Sequence, residues 1–260
     1  MKRPVRLPSG FAELLHVANA PARFDEALAI ADQIAAADVA LMPWPDHAAI
    51  FTDPPLRVAG PLKQLGYVVG WDNRCYPSPV DGCDYINVAA RLPAESPQRR
   101  EGWFDYVAIV HPVDQAARDQ MAAQGYGNPF LHHVTWGIVP PERRTEDEFA
   151  YAATVVPYMV GIRASIAEAL GEQPGTLILA LPSEVVQDGR FSEAHGEWVR
   201  GCPHDEYRIE PMEGGGFLIQ FFVLTGGRIE VALRVGTSQT FNPRSVDKIS
   251  RDEISTRQER

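Results

Sequence analysis

Two segments of the chain repeat one arrangement of histidine and proline. The first segment runs from Asp46-His47 to Pro54-Pro55, and the second runs from His132-His133 to Pro140-Pro141. In both segments the double proline begins seven residues after the histidine, counted from His47 and from His133. The residues between are rich in apolar and β-branched types, and a double proline ends a strand. The spacing therefore predicts two strands that each open with a histidine.

The similarity between the two segments continues along the chain. Each strand is followed by a predicted helix that ends in Leu-Gly, with another glycine four residues later: Leu65-Gly66 with Gly70, and Leu170-Gly171 with Gly175. Each half then closes on an apolar strand, at residues 106–110 and 228–233. This order predicts a duplicated β-α-β-β-β unit. Coincidence is the alternative, because proline after a strand and glycine after a helix are common.

Hydrophobic periodicity predicts the other elements and the fold class. Helices are predicted at 23–37, 56–65, 113–124 and 158–170, and strands at 47–52, 85–91, 104–110, 132–139, 176–181, 217–224 and 228–235. Segments 142–150 and 182–216 are predicted to be loops, with Gly214-Gly215-Gly216 as a hairpin turn. We therefore expect an α+β fold with a helical segment at 1–40, a first module at 41–125, a second module with insertions at 126–246 and a charged tail at 247–260.

Composition limits the classes of partner. The formal net charge of the 260 residues is -10, which argues against nucleic acid because phosphate binding needs clustered Lys and Arg. No apolar run approaches the roughly 20 residues of a membrane span, and no signal peptide is recognisable. We expect a cytoplasmic protein that binds a small molecule, with a homodimer as a candidate assembly. The three cysteines have no CxxC spacing and are expected to be reduced thiols.

Several common catalytic motifs are missing from the sequence. The triple glycine at 214–216 is not followed by the lysine of a phosphate-binding loop. Ser183 and Ser192 lie in no Gly-x-Ser-x-Gly elbow, which disfavours a serine hydrolase. No Gly-x-Gly-x-x-Gly follows a predicted strand, so dinucleotide binding is not supported.

The histidine strands and the closing strand resemble a known superfamily. The motifs Asp46-His47-Ala-Ala-Ile, His132-His133-Val-Thr-Trp-Gly-Ile and Arg228-Ile-Glu230-Val-Ala resemble the vicinal oxygen chelate superfamily, which includes glyoxalase I, extradiol dioxygenases and 4-hydroxyphenylpyruvate dioxygenase. Glu101-Gly102-Trp103 and residues 241–246 are similar to its YecM-like branch. The resemblance implies two modules whose curved mixed sheet forms a metal-binding cleft.

The resemblance also implies a set of metal ligands. By position these are His47, His133 and Glu230, while Ala108 stands where such proteins usually have a fourth ligand. Since successive strand residues point to opposite faces, only one of His132 and His133 is expected to face the metal. We select His133, because in the motif the ligand directly precedes the β-branched residue.

Each implied ligand has an ordinary alternative. His47 and His133 are also compatible with core histidines, and Glu230 with a solvent-facing carboxylate. Small residues beside the ligands, such as Ala49, are expected to leave room for a substrate. Tyr85 and Arg234 are candidate substrate contacts, because a guanidinium can bind a carboxylate in a bidentate manner. His111 is a candidate for supporting a ligand.

Two imidazoles and one carboxylate leave coordination positions open for substrate and for oxygen or water. This donor set suits Fe(II), with Mn(II) or Zn(II) as alternatives. We therefore predict a mononuclear metal-dependent enzyme, an oxygenase or an isomerase/lyase, that acts on a small oxygenated and carboxylated substrate. The alternative is a non-catalytic protein of the same fold that binds a small molecule.

Overall fold

Helices and strands alternate along the chain in the computed structural model, which describes residues 20–77, 83–100, 104, 106–212, 216–223 and 229–235. The described chain divides into two units. Unit 1 contains residues 20–25 and 44–134, and unit 2 contains residues 26–43 and those from 135 onward. The predicted tail at 247–260 lies outside the described residues.

Helix α1 (Ala20–Ala36) contributes residues to both units. Unit 1 continues with β1 (Leu41–Phe51), α2 (Leu56–Gln64), β2 (Val68–Pro77), β3 (Asp84–Arg91), α3 (Pro97–Arg100), β4 (Tyr106–Pro112), α4 (Gln115–Ala123) and the first half of β5 (Phe130–Ile138). The first three residues of β1 belong to unit 2. Helix α4 begins at a side-chain cap, because the carboxylate of Asp114 accepts a hydrogen bond from the Ala117 backbone N–H at 2.9 Å.

The sheet of unit 1 has the strand order β2-β3-β4-β1, with β5 next to β1. Strands β1 and β4 are parallel, whereas β3 is antiparallel to both β2 and β4. His47 of β1 lies opposite Tyr106 of β4, and Arg91 of β3 lies opposite the same tyrosine. Because directly opposite residues share a face of the sheet, these three side chains lie on one face.

Unit 2 contains the second half of β5, α5 (Glu148–Leu170), β6 (Leu177–Pro182), α6 (Ser183–Gln187), α7 (Phe191–Trp198), a 3-10 turn (His204–Glu206), β7 (Tyr207–Met212), β8 (Phe217–Val223) and β9 (Ile229–Val235). Its strand order is β5-β9-β8-β6-β7. Strand β6 is parallel to β7 and antiparallel to β8, and β8 is antiparallel to β9. The expectation of an α+β protein with mixed sheets is confirmed at this level.

Helix α5 supplies much of the core of unit 2. It begins where the Asp147 carboxylate accepts hydrogen bonds from the N–H groups of Phe149 and Ala150, and it ends at Gly171, whose φ of 67° is left-handed. By length and composition this helix could cross a membrane. Eight of its residues are buried, however, and one of them is Arg163, which is paired with Glu206. These contacts are typical of a core helix.

Three sequence-based predictions in unit 2 are wrong. Segment 182–216 is not a loop, because it contains α6, α7 and β7. Helix α5 begins ten residues before the predicted start at Tyr158 and continues through Pro157. Strands β7 and β8, which flank the triple glycine, are not paired with each other, because β6 lies between them; residues 214 and 215 lie outside the described residues. Strand β2 in unit 1 was not predicted at all. Short elements such as α7 depend on contacts distant in sequence, here the packing of Trp198 on Phe149.

Candidate functional site

The first histidine of the repeated motif is buried and oriented by its neighbour. His47 is 4% exposed, and its Nδ1 lies 2.8 Å from Oδ2 of Asp46. The carboxylate oxygen is an acceptor, so the imidazole donates its Nδ1–H to it. In neutral His47 the lone pair is then on Nε2. A carboxylate on one ring nitrogen is a common way to orient a histidine that binds a metal through the other.

The second histidine motif also forms a buried hydrogen-bonded pair. Nδ1 of His132 lies 2.7 Å from Nδ1 of His133, and the two side chains are 2% and 8% exposed. His132 stacks on Phe51, with ring centroids 4.0 Å apart and an angle of 11° between the planes. The two imidazoles are therefore in contact, although strand alternation directs their Cβ atoms to opposite faces. Alternation sets the direction of Cβ, whereas the imidazole can turn about two further bonds toward its neighbour.

The backbone of the histidine pair is held by a buried arginine. Arg23 of α1 donates from Nε to the carbonyl of Leu131 at 2.7 Å and from Nη2 to the carbonyl of His132 at 3.2 Å. Its guanidinium also lies over the ring of Tyr126. Sequence reasoning missed this residue. The available signal was its position four residues before Ala27, on the apolar face of the helix, where a charged residue needs a buried partner.

Four side chains form a row across four strands of unit 1. The rings of His133 and His47 have centroids 5.7 Å apart and are nearly perpendicular, at 76°. The ring of Tyr106 is 5.1 Å from that of His47, and the Arg91 guanidinium carbon lies 4.6 Å from the centroid of the Tyr106 ring. The row therefore runs from two imidazoles through an aromatic ring to a cation.

Small residues do leave space beside the histidines, but a tyrosine side chain fills it. Ala49, Ala89 and Ala108 are buried in one cluster with Tyr106. The Tyr106 hydroxyl accepts a hydrogen bond from Nδ2 of Asn87 at 2.7 Å. Asn87 lies opposite residue 110 of β4, so the Tyr106 side chain extends along β4 over the alanines. The residue opposite His47 is thus Tyr106, while Ala108 lies opposite Ala49.

The other predicted site residues lie in β3 and β9. Tyr85 is buried against Phe51, with ring centroids 4.9 Å apart, and so lies beside the stack that carries His132. Glu230 and Arg234 lie in β9, opposite Phe222 and Leu218, but their side chains are outside the described residues. Among the described residues, no group of three His, Cys, Asp or Glu is arranged to hold a metal ion.

His111 lies on the other face of the sheet. It lies opposite Ile86 in β3. Because successive strand residues point to opposite faces, His111 faces away from the side that carries Tyr106 and Ala108. Burial lowers the pKa of His111, and the nearby Arg118 lowers it further, while the backbone at Pro112 and the carboxylate of Asp53 act in the opposite direction. The register thus disfavours a role for His111 in supporting His47.

Comparisons with known proteins give distant structural similarity only. No protein-family description and no curated protein matches the chain. A mutant of 4-hydroxymandelate synthase from Streptomyces coelicolor matches with a TM-score of 0.40 and 15% identity over 74% of this chain. A xylose isomerase-like TIM barrel/4-hydroxyphenylpyruvate dioxygenase fusion protein matches with a TM-score of 0.37 and 12% identity over 82% of this chain. The chain spans 48% of the first protein and 29% of the second.

Proposed function

We propose that this protein is a mononuclear metal-dependent enzyme, of the oxygenase or isomerase/lyase type, that acts on a small oxygenated and carboxylated substrate. His47, His133 and Glu230 are the proposed ligands. The observation that carries the proposal is the pair of buried imidazoles, His47 and His133, each with its Nδ1 in a hydrogen bond to the preceding residue. The third ligand rests on the sequence resemblance.

The two imidazoles fit a shared metal ion. A metal–nitrogen bond is about 2.0–2.1 Å long, so two imidazoles on one ion have ring centroids roughly 5 Å apart at ordinary bond angles. The observed separation of 5.7 Å is close to this. We assign Nε2 as the ligand atom of both histidines, which requires that each Nδ1–H donates to the preceding residue. Two nitrogens and one carboxylate oxygen suit Fe(II), with Mn(II) or Zn(II) as alternatives. Such an ion acts as a Lewis acid toward vicinal oxygens of a substrate.

The order of strands supports the proposal of a duplicated module. In unit 1 the opening strand β1 lies next to the closing strand β4, followed by β3 and β2. In unit 2 the opening strand β5 lies next to the closing strand β9, followed by β8 and β6. Each opening strand also leads into a helix. With β7 treated as an insertion, this strand order is compatible with one β-α-β-β-β unit in each half, which supports the proposed duplication.

The chain's own residues have distinct proposed roles around the ion. Asp46 holds His47 in the orientation that presents Nε2. His132 does the same for His133 and is itself held by its stack on Phe51. Tyr85 and Arg234 remain the proposed substrate contacts, with Arg234 as the partner of a substrate carboxylate. The buried aromatic surroundings exclude water, which strengthens electrostatic interactions at the site.

Calorimetric titration of chelator-treated protein with Mn(II) tests the proposal. We expect one site per chain in the wild type. His47→Gln and His133→Gln should each weaken binding, whereas His204→Gln, an exposed histidine in unit 2, should leave it unchanged. The proposal fails if the wild type binds no divalent ion, or if all three variants bind as it does. A single bound ion without turnover of any oxygenated acid would favour the non-catalytic binding protein.

A further inference from the structure

The side chain of Tyr106 occupies the space beside the candidate ligand His47. Its ring lies against three alanines, Ala49, Ala89 and Ala108, which come from three neighbouring strands. Any larger residue at these positions would displace the ring, because interiors are close-packed. These three alanines, called the alanine floor below, therefore leave space for an aromatic side chain. The Tyr106 ring fills that space.

Two polar contacts hold the ring in this position. Nδ2 of Asn87 donates to the Tyr106 hydroxyl, and the Arg91 guanidinium lies over the ring. Oδ1 of Asn87 is also buried and has no hydrogen-bond partner among the described residues. Moving the tyrosine away would leave the amide nitrogen unsatisfied as well, and burying an unsatisfied polar group is costly. The Tyr106 ring is thus held in place and forms one boundary of the site.

Further aromatic rings lie along β1 from His47. Phe51 lies four residues along the same strand, on the same face, and its ring stacks on His132. Phe130 and Tyr85 also pack on Phe51. A molecule bound next to His47 therefore meets the Tyr106 ring on the neighbouring strand β4 and the Phe51 cluster further along β1.

We infer that Tyr106 is a specificity-determining residue, which restricts the site to small aliphatic acids with vicinal oxygens and excludes acids that carry an aryl group. This inference rests on the proposed metal function. An aryl group on the substrate would need the space over the alanine floor, and the tyrosine ring already fills it. Removing the ring opens a space of the size and polarity of phenol, with the Asn87 amide available as a donor to a hydroxyl.

Lactate and 3-phenyllactate are suitable probes, because both offer a carboxylate and an adjacent hydroxyl and they differ by one phenyl ring. Binding to Mn(II)-loaded protein is measured by water-proton relaxation. The wild type and Tyr106→Phe, which keeps the ring, should prefer lactate by at least about tenfold, the lower range of steric discrimination in pockets. Tyr106→Ala should lose this preference or reverse it. Equal binding of both acids to the wild type, or an unchanged preference in Tyr106→Ala, overturns the inference.

A metal-free experiment separates failure of this inference from failure of the proposed function. Phenol is titrated into metal-free protein and followed by calorimetry. Tyr106→Ala should bind phenol more tightly than toluene, and the wild type should bind neither. If phenol does not bind a folded Tyr106→Ala variant, the placement of the ring is wrong and the inference falls. If phenol binds but Mn(II) does not bind the wild type, the proposed function fails and the assigned substrate class fails with it. Tyr106→Val, which has a smaller side chain and suits a strand, replaces the alanine variant if circular dichroism shows that the latter is unfolded.

Discussion

His132 and His133 share a hydrogen bond, with their Nδ1 atoms 2.7 Å apart, although they are consecutive residues of one strand. Between neutral imidazoles one ring must donate and the other accept. His132→Phe should keep the stack on Phe51 and remove the hydrogen bond. We expect it to weaken Mn(II) binding by about 10–100-fold, as loss of a partner that orients a ligand typically does. Calorimetry measures the affinity. If His132→Phe abolishes binding and His133→Phe has no effect, the two residues have the opposite roles.

Asp46 should matter to metal affinity through its hydrogen bond to His47. Asp46→Ala removes the acceptor of the Nδ1–H bond, so the imidazole loses its fixed orientation. We expect Mn(II) affinity to fall by about 10–100-fold. Asp46→Asn keeps an acceptor oxygen without the charge and should lose less. Because the Asp46 side chain is 41% exposed, neither variant should change the melting temperature of the metal-free protein by more than about 2 °C. Equal affinity in the wild type and Asp46→Ala would contradict this role.

Local sequence patterns predicted much of the fold but not the packing around the site. The strand at His47, the helix after it and the strand at His133 follow from apolar periodicity and from proline and glycine. The position of Tyr106 over the alanine floor depends on residues from three strands, which no local pattern brings together. The contact of Arg23 with the histidine strand joins positions 108 residues apart. Contacts between residues so far apart along the chain could therefore not be predicted from local sequence patterns.

Arg163 should stabilise unit 2 far more than surface arginines do. It is 5% exposed, and its guanidinium donates to the carbonyls of Pro174 and Gly175 and to the carboxylate of Glu206. Arg163→Met leaves these acceptors unpaired and should lower the free energy of unfolding by about 2–4 kcal/mol. Arg144→Met removes an exposed pair with Glu142 and should cost less than about 0.5 kcal/mol. Urea denaturation measures both. Similar losses for the two variants would contradict the buried role of Arg163.

His111 should make the protein less stable in mild acid. Burial lowers its pKa in the folded state, so the unfolded chain takes up a proton near pH 6.5 while the folded chain resists it. The contribution of His111 to stability is therefore full above about pH 6.5 and is lost as the pH falls below that value. His111→Gln cannot take up this proton, so its free energy of unfolding should fall less between pH 7 and pH 5. Denaturation at both pH values measures the difference, and parallel falls in the two proteins would contradict it.

His47 and His133 should bind one metal ion through their imidazoles. Pulsed electron paramagnetic resonance counts imidazole ligands directly, with Cu(II) added below one equivalent because it favours nitrogen-rich sites. We predict two equivalent imidazoles in the wild type and one in each of His47→Gln and His133→Gln. A wild-type spectrum with fewer than two imidazoles, or one that neither substitution changes, would contradict the account.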